Sequence, residues 1–379
     1  MYLRFVFILF IFVVSVTGCR RKKQNVTEYP VIIDIKEALR NKRDFKLSDL
    51  VDSITYIPID GIISDYDYPF LSSHHIKISR NYIISENAAN KDLLCFNKDG
   101  RFLRKIARKG KGPGEYLRID DIAIDEDIGV IFVFSSNNQK IFKYSLDGSF
   151  LGAIRLSEDV DGIIGDSGRL LVHYPNWRGN VKYSCLLLNQ NFDTANILRN
   201  HISYKLNIKR NYWLTECIYY IYNNRIHIKD KCDTLFWIEN NHFYPKYVFF
   251  TGDSHSITIS QTEYDKKIPF RYIHETDSKV FFEFRWNEEW YSAYYDKHIG
   301  KAFSSSSIIN NDLDDVDNYY FFPHHCQYND EILMGRNAEF DREKLKNKVS
   351  PSKYQRITNM LDQLTDEDIN MLIIMHLKK

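Results

Sequence analysis

Residues 90–106 read Asn-Lys-Asp-Leu-Leu-Cys-Phe-Asn-Lys-Asp-Gly-Arg-Phe-Leu-Arg-Lys-Ile, and residues 138–154 read Asn-Gln-Lys-Ile-Phe-Lys-Tyr-Ser-Leu-Asp-Gly-Ser-Phe-Leu-Gly-Ala-Ile. Asn90, Asp99, Gly100, Phe102, Leu103 and Ile106 return as Asn138, Asp147, Gly148, Phe150, Leu151 and Ile154, each 48 positions on and without a gap. Each copy is a strand, an Asp-Gly turn and a second strand, because Asp-Gly supplies the positive-φ residues that a tight hairpin needs. Short apolar runs at residues 82–85 and 129–134 precede the two copies. A unit of four strands repeated at fixed period is the blade of a β-propeller.

The pattern continues in weaker form. Residues 186–189 and 196–198 flank a third copy. Residues 233–238, an Asn240-Asn241 turn and residues 247–250 make a fourth. Residues 279–286 and 290–295 pair across Asn287-Glu288-Glu289, and Phe282-Glu283-Phe284-Arg285-Trp286 alternates strictly, the period of a half-buried strand. A composite last unit holds strands at 319–322 and 331–334, a helical insertion over about 341–369 started by Ser350-Pro351, and an apolar strand at 370–377. Residues 54–59 have no blade of their own and are expected beside that C-terminal strand, closing the ring and removing sheet edges. The expectation is an all-β fold, a six-bladed propeller of four-stranded antiparallel blades over residues 51–379, with five or seven blades as the rival tallies.

The N-terminus reads as a processing signal. Arg4 precedes an apolar run from Phe5 to Val16, too short for a comfortable membrane span and suited to a signal peptide. It ends in Val16-Thr17-Gly18-Cys19, which resembles the bacterial lipobox and implies a signal peptide at 1–18 with lipidation at Cys19. Residues 19–50 then form a tether and lead-in. Several acyl chains would hold the protein stably on a membrane. No Asp follows Cys19, so the expected location is the periplasmic face of the outer membrane, with the cell surface as the alternative.

Without residues 1–18 the chain carries 50 basic and 50 acidic side chains. That balance argues against a nucleic-acid partner, which needs a basic excess or stripe. Beyond Cys19, the cysteines Cys95, Cys185, Cys217, Cys232 and Cys326 show no CxxC spacing. They are read as buried thiols, with a Cys217–Cys232 disulfide conceivable in an oxidising compartment.

Gly110-Lys111-Gly112-Pro113-Gly114-Glu115-Tyr116, followed by Ile122-Ala123-Ile124-Asp125, resembles the inter-blade turn of NHL-repeat propellers. With the lipobox, Ile54-Thr55-Tyr56-Ile57-Pro58-Ile59, Tyr295-Asp296-Lys297 and Leu372-Ile373-Ile374, the layout resembles the six-bladed propeller lipoproteins of bacteroidetes. The resemblance implies a fold and an anchor. It implies no single activity, since NHL propellers include RNA binders, sensor domains and a lyase.

The candidate sites are few. The Gly110–Gly114 loop lacks P-loop spacing and reads as a turn. Tyr174, Trp177, Arg178, Tyr212 and Trp213 sit in loop-like stretches where aromatic platforms could stack on sugars or anchor peptides; packing between blades is the competing reading. His74, His75, His324 and His325 are weak metal candidates, since adjacent residues on a strand point to opposite faces. The acidic run Asp312, Asp314, Asp315 and Asp317 fails the EF-hand pattern. There is no nucleophile elbow. The function expected is a non-enzymatic binding or scaffolding module at the cell envelope, with a glycan, peptide or envelope protein as partner and no cofactor. The alternative is an envelope hydrolase or lyase with a metal in the channel.

Overall fold

A computed structural model of the chain describes residues 29–59, 62–63, 66–67, 71–87, 89–156, 159–176, 180–200, 217–230, 232–252, 269–307, 312, 331–337, 346–347, 350–362 and 370–378. It begins with β1 (Val31–Asp34), α1 (Ile35–Arg40), α2 (Leu47–Leu50) and β2 (Val51–Pro58), then a small ribbon of β3 (Ile62–Ile63) and β4 (Tyr66–Asp67). Five four-stranded meanders follow. The first is β5 (Leu71–Ile78), β6 (Tyr82–Asn87), β7 (Leu93–Asn97) and β8 (Phe102–Ala107). The second is β9 (Asp121–Asp125), β10 (Val130–Ser135), β11 (Lys140–Ser145) and β12 (Phe150–Arg155). The third is β13 (Gly162–Asp166), β14 (Arg169–His173), β15 (Tyr183–Asn189) and β16 (Thr194–Arg199). The fourth is β17 (Ile218–Tyr222), β18 (Arg225–Lys229), β19 (Thr234–Glu239) and β20 (His242–Phe250). The fifth is β21 (Phe270–Glu275), β22 (Lys279–Trp286), β23 (Glu289–Asp296) and β24 (Lys301–Ser305). The described chain ends with β25 (Glu331–Asn337), α3 (Pro351–Asp362) and β26 (Asn370–Leu377).

Within each meander neighbouring strands are antiparallel and follow chain order, and their first strands lie beside one another, β5 by β9, β9 by β13, β13 by β17 and β17 by β21. This is the propeller arrangement. Its core lies between the sheets. Ile84, Leu93 and Cys95 of the first sheet pack on Ile124, Ile131 and Tyr144 of the second. Leu171 and Leu187 of the third pack on Ile226 and Ile228 of the fourth. Phe249 of the fourth meets Phe270, Phe282 and Phe284 of the fifth. Burial on both faces explains why Glu283 is 1% exposed where the alternating pattern predicts a wet face. Arg271 and Ser292 satisfy its carboxylate.

The closing strand sits where the sequence puts it. β2 pairs antiparallel with β26, Ile54 opposite Met375 and Tyr56 opposite Ile373, and β26 pairs with β25. Leu372 and Ile374 of β26 pack against Ile83, Leu94 and Phe96 of the first sheet. The Asp-Gly turns also form, with Gly100 at φ 83° and Gly148 at φ 96°. Only the glycine takes the positive φ in each; Asp99 and Asp147 stay in the turn body. Gly100 has a second reason to be glycine, because a Cβ there would meet the Pro58 carbonyl oxygen at 1.9 Å.

One feature differs from expectation. The lead-in before residue 51 is partly built into the fold. β1 adds to the fourth sheet in parallel beside β20, with Val31 opposite Tyr247, and α1 lies on β24. Asp34 caps α1, accepting from Lys36 N at 2.8 Å and Glu37 N at 3.2 Å. Of the two cysteine readings, free thiols hold and the Cys217–Cys232 disulfide does not form. Both residues are thiols, and each ends up flanking a different strand of the fourth sheet.

Candidate functional site

The glycine-rich loop between β8 and β9 is a structural latch. Glu115 accepts from Gly112 N at 2.8 Å and from Arg108 Nε at 2.5 Å, and Tyr116, fully buried, donates its hydroxyl to the Lys91 carbonyl at 2.6 Å. A Cβ at Gly110 would collide with the Glu115 carboxylate at 1.9 Å, so the loop is closed on itself and offers no phosphate cradle.

A candidate site lies instead between the fourth and fifth sheets. There a cavity of about 450 Å³ is walled by Tyr222, Trp237, Lys246 and Tyr247 from one sheet and by Glu275, Asp277 and Lys297 from the other. It opens at the end of the sheets that carries the β17–β18 and β21–β22 turns, and Tyr29 leans on Trp237 at 4.9 Å between ring centroids. Its volume falls in the ordinary range for small-molecule sites.

Glu275, at the end of β21, is the hub. Its Oε2 lies 2.7 Å from Lys246 Nζ and its Oε1 lies 2.6 Å from Lys297 Nζ. The hydroxyls of Tyr247, at 2.7 Å, and Tyr220, at 3.2 Å, donate to the same carboxylate. Burial works to raise the Glu275 pKa, yet Lys246 and Lys297 pull it down to about 2. Burial lowers Lys246 to about 8 against the opposing pull of Glu275.

His227 faces the same ammonium. Its Nδ1 is 2.9 Å from the Arg225 carbonyl, so Nδ1 carries the proton, and its Nε2 accepts from Lys246 Nζ at 2.9 Å. Burial first, then the Lys246 charge, lowers the ring to about 3. His227 is therefore neutral, and its 3.8 Å approach to Glu275 is not an ion pair. Tyr220 stacks on the ring at 4.9 Å and 7°. Lys246 also stands over Tyr222 at 4.8 Å and Trp237 at 5.2 Å, and Lys297 over Tyr222 at 4.9 Å.

Among the described residues this arrangement leaves donors to spare. An ammonium has three N–H groups. Lys246 directs two of them to Glu275 and His227, and Lys297 directs two to Glu275 and the Thr276 carbonyl. The shielded indole N–H of Trp237 meets no acceptor among the described residues. Three cations and two carboxylates line the cavity, so it holds one net positive charge.

The sequence-predicted residues fare unevenly. Tyr174 is 6% exposed and belongs to the core between the second and third sheets, which corrects its reading as a solvent-facing platform. His75 binds Glu86 at 2.6 Å within its own sheet. His74 has its backbone in β5, and its side chain lies outside the described residues. Cys19, Trp177, Arg178, Tyr212, Trp213, His324 and His325 also lie outside them. Asp312 accepts from Ser48 N at 2.9 Å and Ser48 Oγ at 2.6 Å, tying its loop to α2; Asp314, Asp315 and Asp317 are not among the described residues. The pocket residues were missed because none is unusual alone. The available signal was Lys246 and Glu275, charged residues standing inside apolar strand patterns. A further group of metal-ligand types, His173, Cys217 and Asp230, also comes together from strands far apart in sequence.

Comparison with known proteins supports the fold. A family model described as a domain of unknown function, DUF4934, matches residues 30–376. Among solved structures, a Bacteroides fragilis NCTC 9343 protein named for its inferred export superposes with a TM-score of 0.65 at 19% identity, covering 92% of this chain and 99% of that one. A duf4221-family protein of Bacteroides vulgatus gives a TM-score of 0.49 at 11% identity, covering 87% of this chain and 97% of its own. No curated protein matches the sequence.

Proposed function

The chain belongs to the DUF4934 family, and from that premise we propose that it is an exported, lipid-anchored propeller of six blades that binds a small acidic glycan between its fourth and fifth sheets without turning it over. The carrying observation is the pair of ammonium groups, Lys246 buried and Lys297 partly exposed, each with an N–H to spare among the described residues, in an aromatic-walled cavity of one net positive charge. A carboxylate or sulfate on a sugar would take those donors, and the apolar face of the ring would rest on Tyr222 or Trp237. Peptides and partner proteins fit less well, because a cavity of about 450 Å³ admits only a few sugar or amino-acid units.

The lipobox-like Val16-Thr17-Gly18-Cys19 supports anchoring through Cys19, and the inferred export of the Bacteroides fragilis neighbour agrees with an envelope location. The proposed face is the periplasmic side of the outer membrane. The NHL-like reading of the blades rests on the 48-residue repeat and its Gly-Pro-Gly turn.

A glycan array probed with the protein and with Trp237→Ala tests the ligand class. Binding confined to acidic glycans and lost in the variant supports the reading; equal binding by both proteins, or capture of peptides alone, overturns it. The alternative of an envelope hydrolase or lyase has one observation in its favour, the His173–Cys217–Asp230 group. Metal-dependent product release would establish it in place of binding.

A further inference from the structure

His173 ends β14 in the third sheet, Cys217 immediately precedes β17, and Asp230 immediately follows β18 in the fourth. They meet at the junction of the two sheets, with their ligand atoms all within 4.8 Å of one another. β17 and β18 run from this junction to the glycan cavity, so the two sites occupy opposite ends of the same strands.

The imidazole is 2% exposed, and neither ring nitrogen makes a hydrogen bond among the described residues. Buried polar atoms are rarely left so. Two carboxylates face the ring. Asp230 Oδ1 lies 3.5 Å from Nε2, and Asp161 Oδ2 lies 3.5 Å from Nδ1. A thiol beside them adds a third potential anion. Such a group calls for a cation, either a protonated ring or a bound metal.

The distances choose between these. An imidazolium between two carboxylates would draw them in to about 2.7–2.9 Å. The gaps here are longer. Zinc bonds of about 2.0–2.3 Å arranged tetrahedrally set neighbouring ligand atoms about 3.4–3.7 Å apart, which is the separation found between Nε2 and Asp230.

We propose that His173, Cys217 and Asp230 form a binding site for a divalent transition metal, zinc by its mixed nitrogen, sulfur and oxygen donors. His173 binds through Nε2, Cys217 as the thiolate and Asp230 through one carboxylate oxygen. Metal binding releases the thiol proton to solvent. Asp161 accepts a hydrogen bond from the Nδ1–H of the ring and orients it, as outer carboxylates do for metal-bound histidines. The backbone already holds that pair together, with Asp161 N donating to the His173 carbonyl at 3.0 Å. Three protein ligands leave a fourth position for water or a ligand, and the partly exposed Cys217 gives the ion a way in.

The test uses the full-length chain purified in detergent, stripped with chelator and titrated with zinc and with cobalt. The expected results are one tightly held zinc per chain and, with cobalt, a thiolate-to-metal charge-transfer band. That band disappears in Cys217→Ser and persists in Cys185→Ser, whose thiol is buried outside the ligand set. Asp161→Asn weakens zinc binding by about tenfold or more while the band remains. Zinc also protects Cys217 from alkylation in the unaltered protein, a readout independent of whether any variant folds. Absence of stoichiometric zinc binding, a cobalt spectrum unchanged in a folded Cys217→Ser, or alkylation of Cys217 at the same rate with and without zinc would overturn the site.

Discussion

Lys246 and Glu275, contributed by the fourth and fifth sheets, form an ion pair at 2.7 Å with side chains 3% and 1% exposed. Removing one member of a buried pair strands the other, at a cost of about 3–5 kcal/mol. Lys297 still reaches Glu275, so Lys246→Met is expected at the lower end of that range, measured by urea denaturation. The double replacement Lys246→Met, Glu275→Leu recovers part of the loss. A single-variant cost below about 1 kcal/mol, the scale of a surface pair, would show that the pair is solvated.

Acid should loosen the protein through the same residues. Folded-state values of about 3 for His227, about 4 for His274 and about 2 for Glu275 all lie below their ordinary values of 6.5, 6.5 and 4.5. A lowered folded pKa means that the unfolded chain takes up the proton first. The stability is therefore complete above pH about 6.5 and lost as pH falls, through the histidines and then through Glu275 below about 4.5. The urea midpoint should decline from pH 7 to pH 5, and His227→Gln should reduce that slope without removing it, since His274 titrates too. An equal slope in His227→Gln and in the unaltered protein would contradict the neutral, buried ring.

Closure by β26 makes its apolar residues expensive to cut back. Ile374 is 2% exposed and packs against the first sheet. Ile374→Ala should cost about 2–5 kcal/mol by urea denaturation. Deleting residues 370–379 should abolish cooperative unfolding, because β2 and β25 both lose their partner. A truncated chain that melts like the whole one would place closure elsewhere.

The Asp-Gly turn offers a sharper test of backbone geometry. Gly100→Ala must hold a left-handed φ, worth about 1–2 kcal/mol, and must push Pro58 off the turn. Gly129→Ala is the control, since its φ is also positive, at 67°, but a Cβ there meets nothing within 4 Å. The first variant should lose clearly more stability than the second in parallel melts.

The fold was legible because it repeats. Asp99-Gly100 and Asp147-Gly148 mark hairpins by local chemistry, and Asn240-Asn241 and Asn287-Glu288 do the same with φ values of 48–71°. The strand at 54–59 could be placed because it lacked a sheet of its own. β1 was missed, since four residues joining an existing edge in parallel leave no hairpin signal. The site was hidden for a different reason. Trp237, Lys246, Glu275 and Lys297 converge only when two sheets stack, and no spacing rule links them. Exposed-looking aromatics misled at Tyr174, where a loop-like sequence still packs its ring into the core. His173, Cys217 and Asp230 were equally invisible, being spread over three strand ends.

The most direct test of the central claim is calorimetric titration of the protein with a short uronic-acid oligosaccharide and with its carboxyl-reduced counterpart. The account predicts saturable binding of the acidic sugar alone, weakened about tenfold or more in Lys297→Met, which loses a charge-assisted hydrogen bond of about 1.5–3 kcal/mol. Equal affinity for both sugars, or acidic-sugar binding unaffected by Lys297→Met, would contradict it.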